Sequence, residues 1–199
     1  MRIRDSETGK TYFRKLRRSS PSVELNHAYE LTFSCFHRYQ FLNRDRTRQW
    51  FIEALADARR DLPFDLWAYV VMPEHVHVLA YPRDPEATIS RIRSAIKEPV
   101  ARRAIAYLEE HAPEWLAKIT VREGQRVRRR FWQPGGGYDR SAITIETVQS
   151  MIDYIHANPV RRNLVDSASD WEWSSARWYA GLEPVPIEMD RTLPTKFEL

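Results

Sequence analysis

The chain has 199 residues, 43% hydrophobic and 12% aromatic, which is enough to fill the core of one ordinary domain and excludes global disorder and a large multidomain machine. Its 31 Lys and Arg against 27 Asp and Glu give a formal net charge of +4, a mild lean toward polyanionic partners. The single cysteine, Cys35, rules out an intramolecular disulfide, a zinc ribbon and an iron–sulfur cluster, and no apolar run approaches the about 18 residues that a membrane-spanning helix needs.

These features, with an N-terminus that lacks a secretory apolar stretch, lead us to expect a soluble cytoplasmic protein without a membrane partner. From Met1 to about Pro21 seven basic residues, among them Arg14, Arg17 and Arg18, oppose only Asp5 and Glu7. The stretch reads as a basic arm over 1–26, either a solvated tail or an electrostatic hold on nucleic-acid phosphates. One domain is expected over 27–181, followed by a proline-punctuated tail over 182–199.

Within that domain, Tyr29, Leu31 and Phe33 alternate with Glu30, Thr32 and Ser34, which predicts a strand with one buried face over Ala28 to Phe36. Helical spacing of Trp50, Phe51, Ala54, Leu55 and Ala58 predicts an amphipathic helix over Asp45 to Arg60, ahead of Pro63. Leu66 to Met72 and His75 to Tyr81, separated by Pro73 and Glu74, read as a hairpin in the middle of a sheet. Ile89, Ile92 and Ile96 mark a second helix from about Pro85 to Lys97, and Pro99 either kinks it or begins another helix running to about Glu110. Ala112 to Arg140 reads as irregular, with one short strand around Val127 to Trp132. A last helix opens at Thr144, carries Val148, Met151, Ile152 and Ile155 at i, i+3, i+4 and i+7, and is expected to end at Pro159. This order predicts an α+β fold similar to a split βαβ arrangement, a central antiparallel sheet with helices packed on it.

His75 and His77 stand two apart in a strand, so both imidazoles leave the same face of the sheet. They suit a divalent cation that takes a third donor from elsewhere, or they are polar strand residues satisfied by hydrogen bonds. Tyr154 and Asn158 share one helix face at i, i+4, where a phenol serves as nucleophile and an amide oxygen completes a metal shell. The structural alternative is that Tyr154 packs and Asn158 caps the helix before Pro159. Combined, the four residues support a mechanism in which a cation polarises a phosphodiester for attack by tyrosine. The basic cluster Arg126, Arg128, Arg129 and Arg130 and the seven tryptophans would then meet phosphates and unpaired bases.

Four ordered blocks carry a resemblance: Met72-Pro73-Glu74-His75-Val76-His77-Val78-Leu79; Phe131-Trp132-Gln133 with Tyr138-Asp139-Arg140; Tyr154-Ile155-His156-Ala157-Asn158-Pro159-Val160-Arg161; and Trp171-Glu172-Trp173-Ser174-Ser175. From about Tyr29 to Tyr179 the chain resembles the REP-associated tyrosine transposases, relatives of the single-tyrosine insertion-sequence transposases in the HUH endonuclease group. The resemblance implies a ferredoxin-like sheet, a single-stranded or hairpin DNA partner, and cleavage through a covalent 5′-phosphotyrosine that leaves a free 3′-OH. It implies a divalent ion, Mg or Mn, held by His75 and His77 with Asn158 as third ligand, Tyr154 as nucleophile, and Arg140 among the DNA contacts. Glu74 departs from the family's more usual Asn and brings a carboxylate close to that ion. Tyr138, after Gly135-Gly136-Gly137, is a rival phenol ranked below Tyr154. The alternatives are a domesticated hairpin-binding protein that no longer cuts and a metal hydrolase of small substrates. A homodimer, with Tyr154 completing its own subunit's site or a partner's, stays open at this stage.

Overall fold

The computed structural model describes residues 2–4, 11–13, 26–135 and 138–193. Two three-residue strands, β1 (Arg2–Arg4) and β2 (Thr11–Phe13), pair with each other in the N-terminal arm, whereas Arg14, Arg17 and Arg18 lie outside the described residues. The chain then runs β3 (Ala28–Ser34), α1 (Asp45–Asp61), β4 (Phe64–Val71), β5 (His75–Pro82), α2 (Ile89–His111), α3 (Glu114–Ile119), β6 (Thr120–Glu123), β7 (Arg126–Arg129), β8 (Tyr138–Ala142), α4 (Ile145–Arg161) and α5 (Ala176–Tyr179).

One antiparallel sheet holds the order β4-β5-β3-β8. In chain order these are its second, third, first and fourth strands, which is the interleaving of two βαβ units that the element order predicts. Alternation along the strands sorts the core into two layers. Leu31, Phe33, Val76 and Val78 pack on one face with Phe51 and Leu55 of α1 and Ile92 and Ile96 of α2. Ala28, Leu79, Ala68 and Val70 pack on the other with Val148, Met151, Ile152 and Ile155 of α4. Helix α4 therefore covers the face of β3 that alternation assigns to polar residues, and Glu30 is buried beneath it.

The edge strand β4 is covered by returning chain, which removes an open row of backbone donors and acceptors. Val71 N donates to Trp173 O, Ser175 N to Tyr69 O, and Leu66 N to Asp190 Oδ2. Ser175 Oγ accepts from Tyr69 N at 2.9 Å and lies 2.8 Å from His156 Nε2 on α4, tying helix, sheet and returning chain at one point. Burial pulls His156 down to about 4, with Asp153 opposing. The unfolded chain takes up that proton below about 6.5 and the folded chain does not. Stability is therefore full above about 6.5 and is lost as pH falls toward about 4, by up to about 3 kcal/mol. Urea unfolding at neutral and acid pH checks this: His156→Gln, which keeps an N–H for Ser175, should lose less stability on acidification than the unaltered chain, and an equal loss would refute the assignment.

Two readings of the sequence need correction, and one open alternative is settled. Pro99 lies inside a single helix and does not begin another, because Ile92, Ile96, Val100 and Ala104 form one buried stripe through it, and this packing outweighs one missing N–H. Pro159 does not end α4, which continues to Arg161. The carbonyl of Ile155, which loses its i+4 donor to the proline ring, is met instead by Asn158 Nδ2 at 3.4 Å, while the same nitrogen donates to Tyr154 O at 2.8 Å. Finally, Ala112 to Arg140 is largely ordered into α3, the β6–β7 hairpin and β8; β7 overlaps the strand expected around Val127 to Trp132 but ends at Arg129, and Trp132 is bridged singly to Cys35. These strands carry no apolar alternation because β8 lies at the sheet edge and β7 is exposed on both faces.

Candidate active site

Strand β5 presents His75 and His77 on the α4 face, opposite Ser34 and Thr32 in register. Both are buried, with ring centroids 5.0 Å apart. Each imidazole is held at Nδ1: that of His77 lies 2.9 Å from Glu30 Oε1 and 3.0 Å from Thr32 Oγ1, and that of His75 lies 3.2 Å from Glu74 Oε1. A carboxylate only accepts, so Nδ1 carries a proton in each ring and Nε2 is the nitrogen left to meet another partner.

The carboxylates are anchored in turn by arginine. Arg140 Nε donates to Glu30 Oε2 at 2.7 Å, and Glu74 Oε1 is met by Arg162 at 2.9 Å and Arg38 at 3.7 Å. Burial works against the charge on Glu30, but the hydrogen bonds from His77 and Arg140 outweigh it and hold the carboxyl below its ordinary range. Burial also pulls His75 down to about 4, aided by His77 and opposed by Glu74, so its ring is neutral near neutral pH.

Helix α4 supplies the phenol. The Tyr154 ring centroid lies 5.6 Å from that of His77 with the planes 82° apart, and the side chain is 37% exposed. The guanidinium carbons of Arg140 and Arg161 lie 5.1 and 5.2 Å from its centroid. Two turns further along the helix, Arg162 reaches Glu74, the partner of His75. Asn158 falls between Tyr154 and Arg162 on the same line of the helix, one turn from each, and is only 7% exposed. Its nitrogen is committed to the carbonyls of Tyr154 and Ile155, which orients the amide and makes Oδ1 its other end.

His75, His77 and Tyr154 thus gather at one end of the α4 face, where Arg140 joins them from β8 and Asn158 stands one helical turn from Tyr154. Arg126, Arg128 and Arg129 stand instead on the β6–β7 hairpin with Arg130 just after it, and Arg129 pairs with Glu109 of α2. Of the seven tryptophans, Trp67 and Trp132 are buried, which takes these two out of the expected use on bases, and the other five are half-buried. The side chain of Tyr138 lies outside the described set. Sequence reasoning missed Glu30 and Arg162; a lone Glu on an otherwise packed strand and the Arg161-Arg162 run at the helix end were the available signals. Among the described residues no group of three His, Cys, Asp or Glu is placed to hold a metal. No described helix is long and apolar enough to cross a membrane.

The sequence model described as "Transposase IS200 like" matches residues 24–158. The chain is similar to the REP-associated tyrosine transposase of Escherichia coli (strain K12), with 27% identity over 123 residues, 61% of this chain and 60% of that protein. The match therefore spans less than two thirds of that relative's length. A solved structure of a REP-associated tyrosine transposase bound to a REP hairpin shares the fold, with a TM-score of 0.61 and 23% identity across 94% of this chain and 96% of that one.

Proposed function

Because the chain belongs to the IS200-like transposase family, we propose that it is a metal-dependent endonuclease and strand transferase that cuts single-stranded DNA near hairpins through a covalent 5′-phosphotyrosine at Tyr154. The observation that carries this reading is the Tyr154 ring 5.6 Å from His77, a partly exposed phenol beside two imidazoles whose Nε2 atoms are left to meet another partner. Because all of these groups belong to one chain, they support a site completed within a single subunit.

His75, His77 and Asn158 would hold the divalent ion, magnesium or manganese, through two neutral nitrogens and one amide oxygen. A cation fits the surroundings: Glu74 Oε2 is buried beside His75 with no hydrogen-bond partner, an acceptor left open on a carboxylate whose Oε1 is met by Arg162. When bound, the ion supplies a Lewis acid that polarises the scissile phosphodiester. Tyr154 Oη bonds to phosphorus as the P–O3′ bond breaks. The phenolic proton passes to solvent, and the departing 3′ oxygen takes one up to become a free 3′-OH. Attack of a 3′-OH on the phosphotyrosine reverses these bond changes and rejoins DNA. Arg140 and Arg161, both beside the Tyr154 ring, bring guanidinium groups to where the phosphate charge must be met. Hairpin DNA, the partner of the related protein of known structure, is the partner proposed for this chain, with Arg126, Arg128, Arg129, Arg130 and the arm residues Arg14, Arg17 and Arg18 as further contacts.

Incubation with hairpin-bearing oligonucleotides and Mg²⁺ or Mn²⁺ should give a protein–DNA adduct that survives denaturing electrophoresis and disappears with EDTA. Hairpin binding indifferent to EDTA, with no adduct on any related sequence, would mark a binding module that does not cut. The carboxylate behind His75 has its own signature: Glu74→Gln should weaken Mn²⁺ binding about 10- to 100-fold by releasing Arg162 and loosening His75. Titration of the Mn²⁺ paramagnetic signal measures this, and an unchanged affinity would refute the role.

A further inference from the structure

Among the described residues β6 and β7 pair only with each other, turning at Gly124 with φ +61°. Residues 120–130 hold five arginines, one glutamate and no aromatic side chain. All of β7 is exposed, Val127 to 61%. Arg122 faces Val127 and Val121 faces Arg128, so alternation puts Arg122 and Arg129 on one face of the ribbon and Arg126 and Arg128 on the other. Its base is fixed: Arg130 N donates to Ile119 O, Phe36 N to Phe131 O, and Gln133 N to Ser34 O. Ser34 is the residue opposite His75, so the ribbon leaves the body at the histidine end of the sheet.

Resting on the endonuclease reading above, we propose that the β6–β7 ribbon grips the paired stem of hairpin DNA in its major groove while the unpaired strand reaches Tyr154. Unpaired nucleic acid is held by stacking bases on aromatic rings, and this ribbon has none. A two-stranded ribbon does fit the major groove, about 12 Å wide, where phosphates line both walls. This ribbon carries cations on both of its faces. The expected contribution is sequence-independent phosphate grip, which positions the duplex without reading it.

The test is the salt dependence of DNA binding by the full chain, with EDTA present so that no strand is cut. Each phosphate contact adds about 0.9 to the slope of log affinity against log salt on duplex. The double variant Arg122→Ala/Arg126→Ala removes one exposed cation from each face and should lower the slope by about 2 on a hairpin with a fully paired stem, and by less than about 0.5 on an unpaired oligonucleotide of equal length. An unchanged thermal unfolding midpoint verifies that the variant is folded. A slope unmoved on the hairpin, or lowered equally on both probes, overturns the assignment. Failure of the unaltered chain to bind hairpins at all would remove the endonuclease reading and the ribbon together. Adduct formation with an unmoved slope would remove the ribbon alone.

Discussion

Tyr154→Phe should form no covalent adduct with cleavable hairpin DNA and should lower strand cleavage roughly 10⁴-fold or more, as loss of an attacking oxygen does in other covalent mechanisms. The change removes one oxygen and keeps the ring whose centroid sits 5.6 Å from that of His77 and near those of Arg140 and Arg161. Hairpin affinity and the unfolding midpoint should therefore stay close to those of the unaltered chain. Adduct at undiminished yield would assign the nucleophile to another residue, and Tyr138 would be the first to examine.

His77→Ala should abolish the metal-dependent reaction, lowering cleavage roughly 10³-fold or more, and should remove high-affinity Mn²⁺ binding, because one of only two imidazole donors disappears. It should also destabilise the fold by about 1–3 kcal/mol, since buried Glu30 then keeps Arg140 and loses the N–H that His77 donates at 2.9 Å. The stability cost separates this variant from Tyr154→Phe, which leaves the hydrogen bond between His77 and Glu30 in place. Retained Mn²⁺ affinity in folded His77→Ala would place the cation away from the strand pair. Asn158→Ala should have a milder effect, because its nitrogen serves two helix carbonyls and only its oxygen would be available to the proposed ion.

Much of this site was legible before any coordinates. Period-two spacing put His75 and His77 on one face, and the i, i+4 spacing put Tyr154 and Asn158 on one line of a helix; both follow from backbone geometry alone. Glu30 escaped because a polar residue in an alternating strand reads as solvent-facing, and only the docking of α4 turns that position into a buried partner for His77. Arg162 escaped because Pro159 signalled a helix end, while the Asn158 amide supplies the donor that carries the helix past it. Strands β6 and β8 were illegible for a different reason: Thr120 to Glu123 and Tyr138 to Ala142 hold too few apolar residues for alternation to show, whereas β7 overlaps the strand expected around Val127 to Trp132. The Trp171 to Ser175 block reads as surface aromatics in isolation, yet its backbone completes the edge of β4, a long-range pairing that local pattern does not encode.

Anomalous diffraction from crystals soaked in Mn²⁺ tests the arrangement most directly. The expected peak lies about 2.0–2.3 Å from His75 Nε2, His77 Nε2 and Asn158 Oδ1, with the Tyr154 hydroxyl facing its open side. A well-ordered Mn²⁺ elsewhere, or one bound to the histidines with Tyr154 turned away and Asn158 outside its shell, would contradict it.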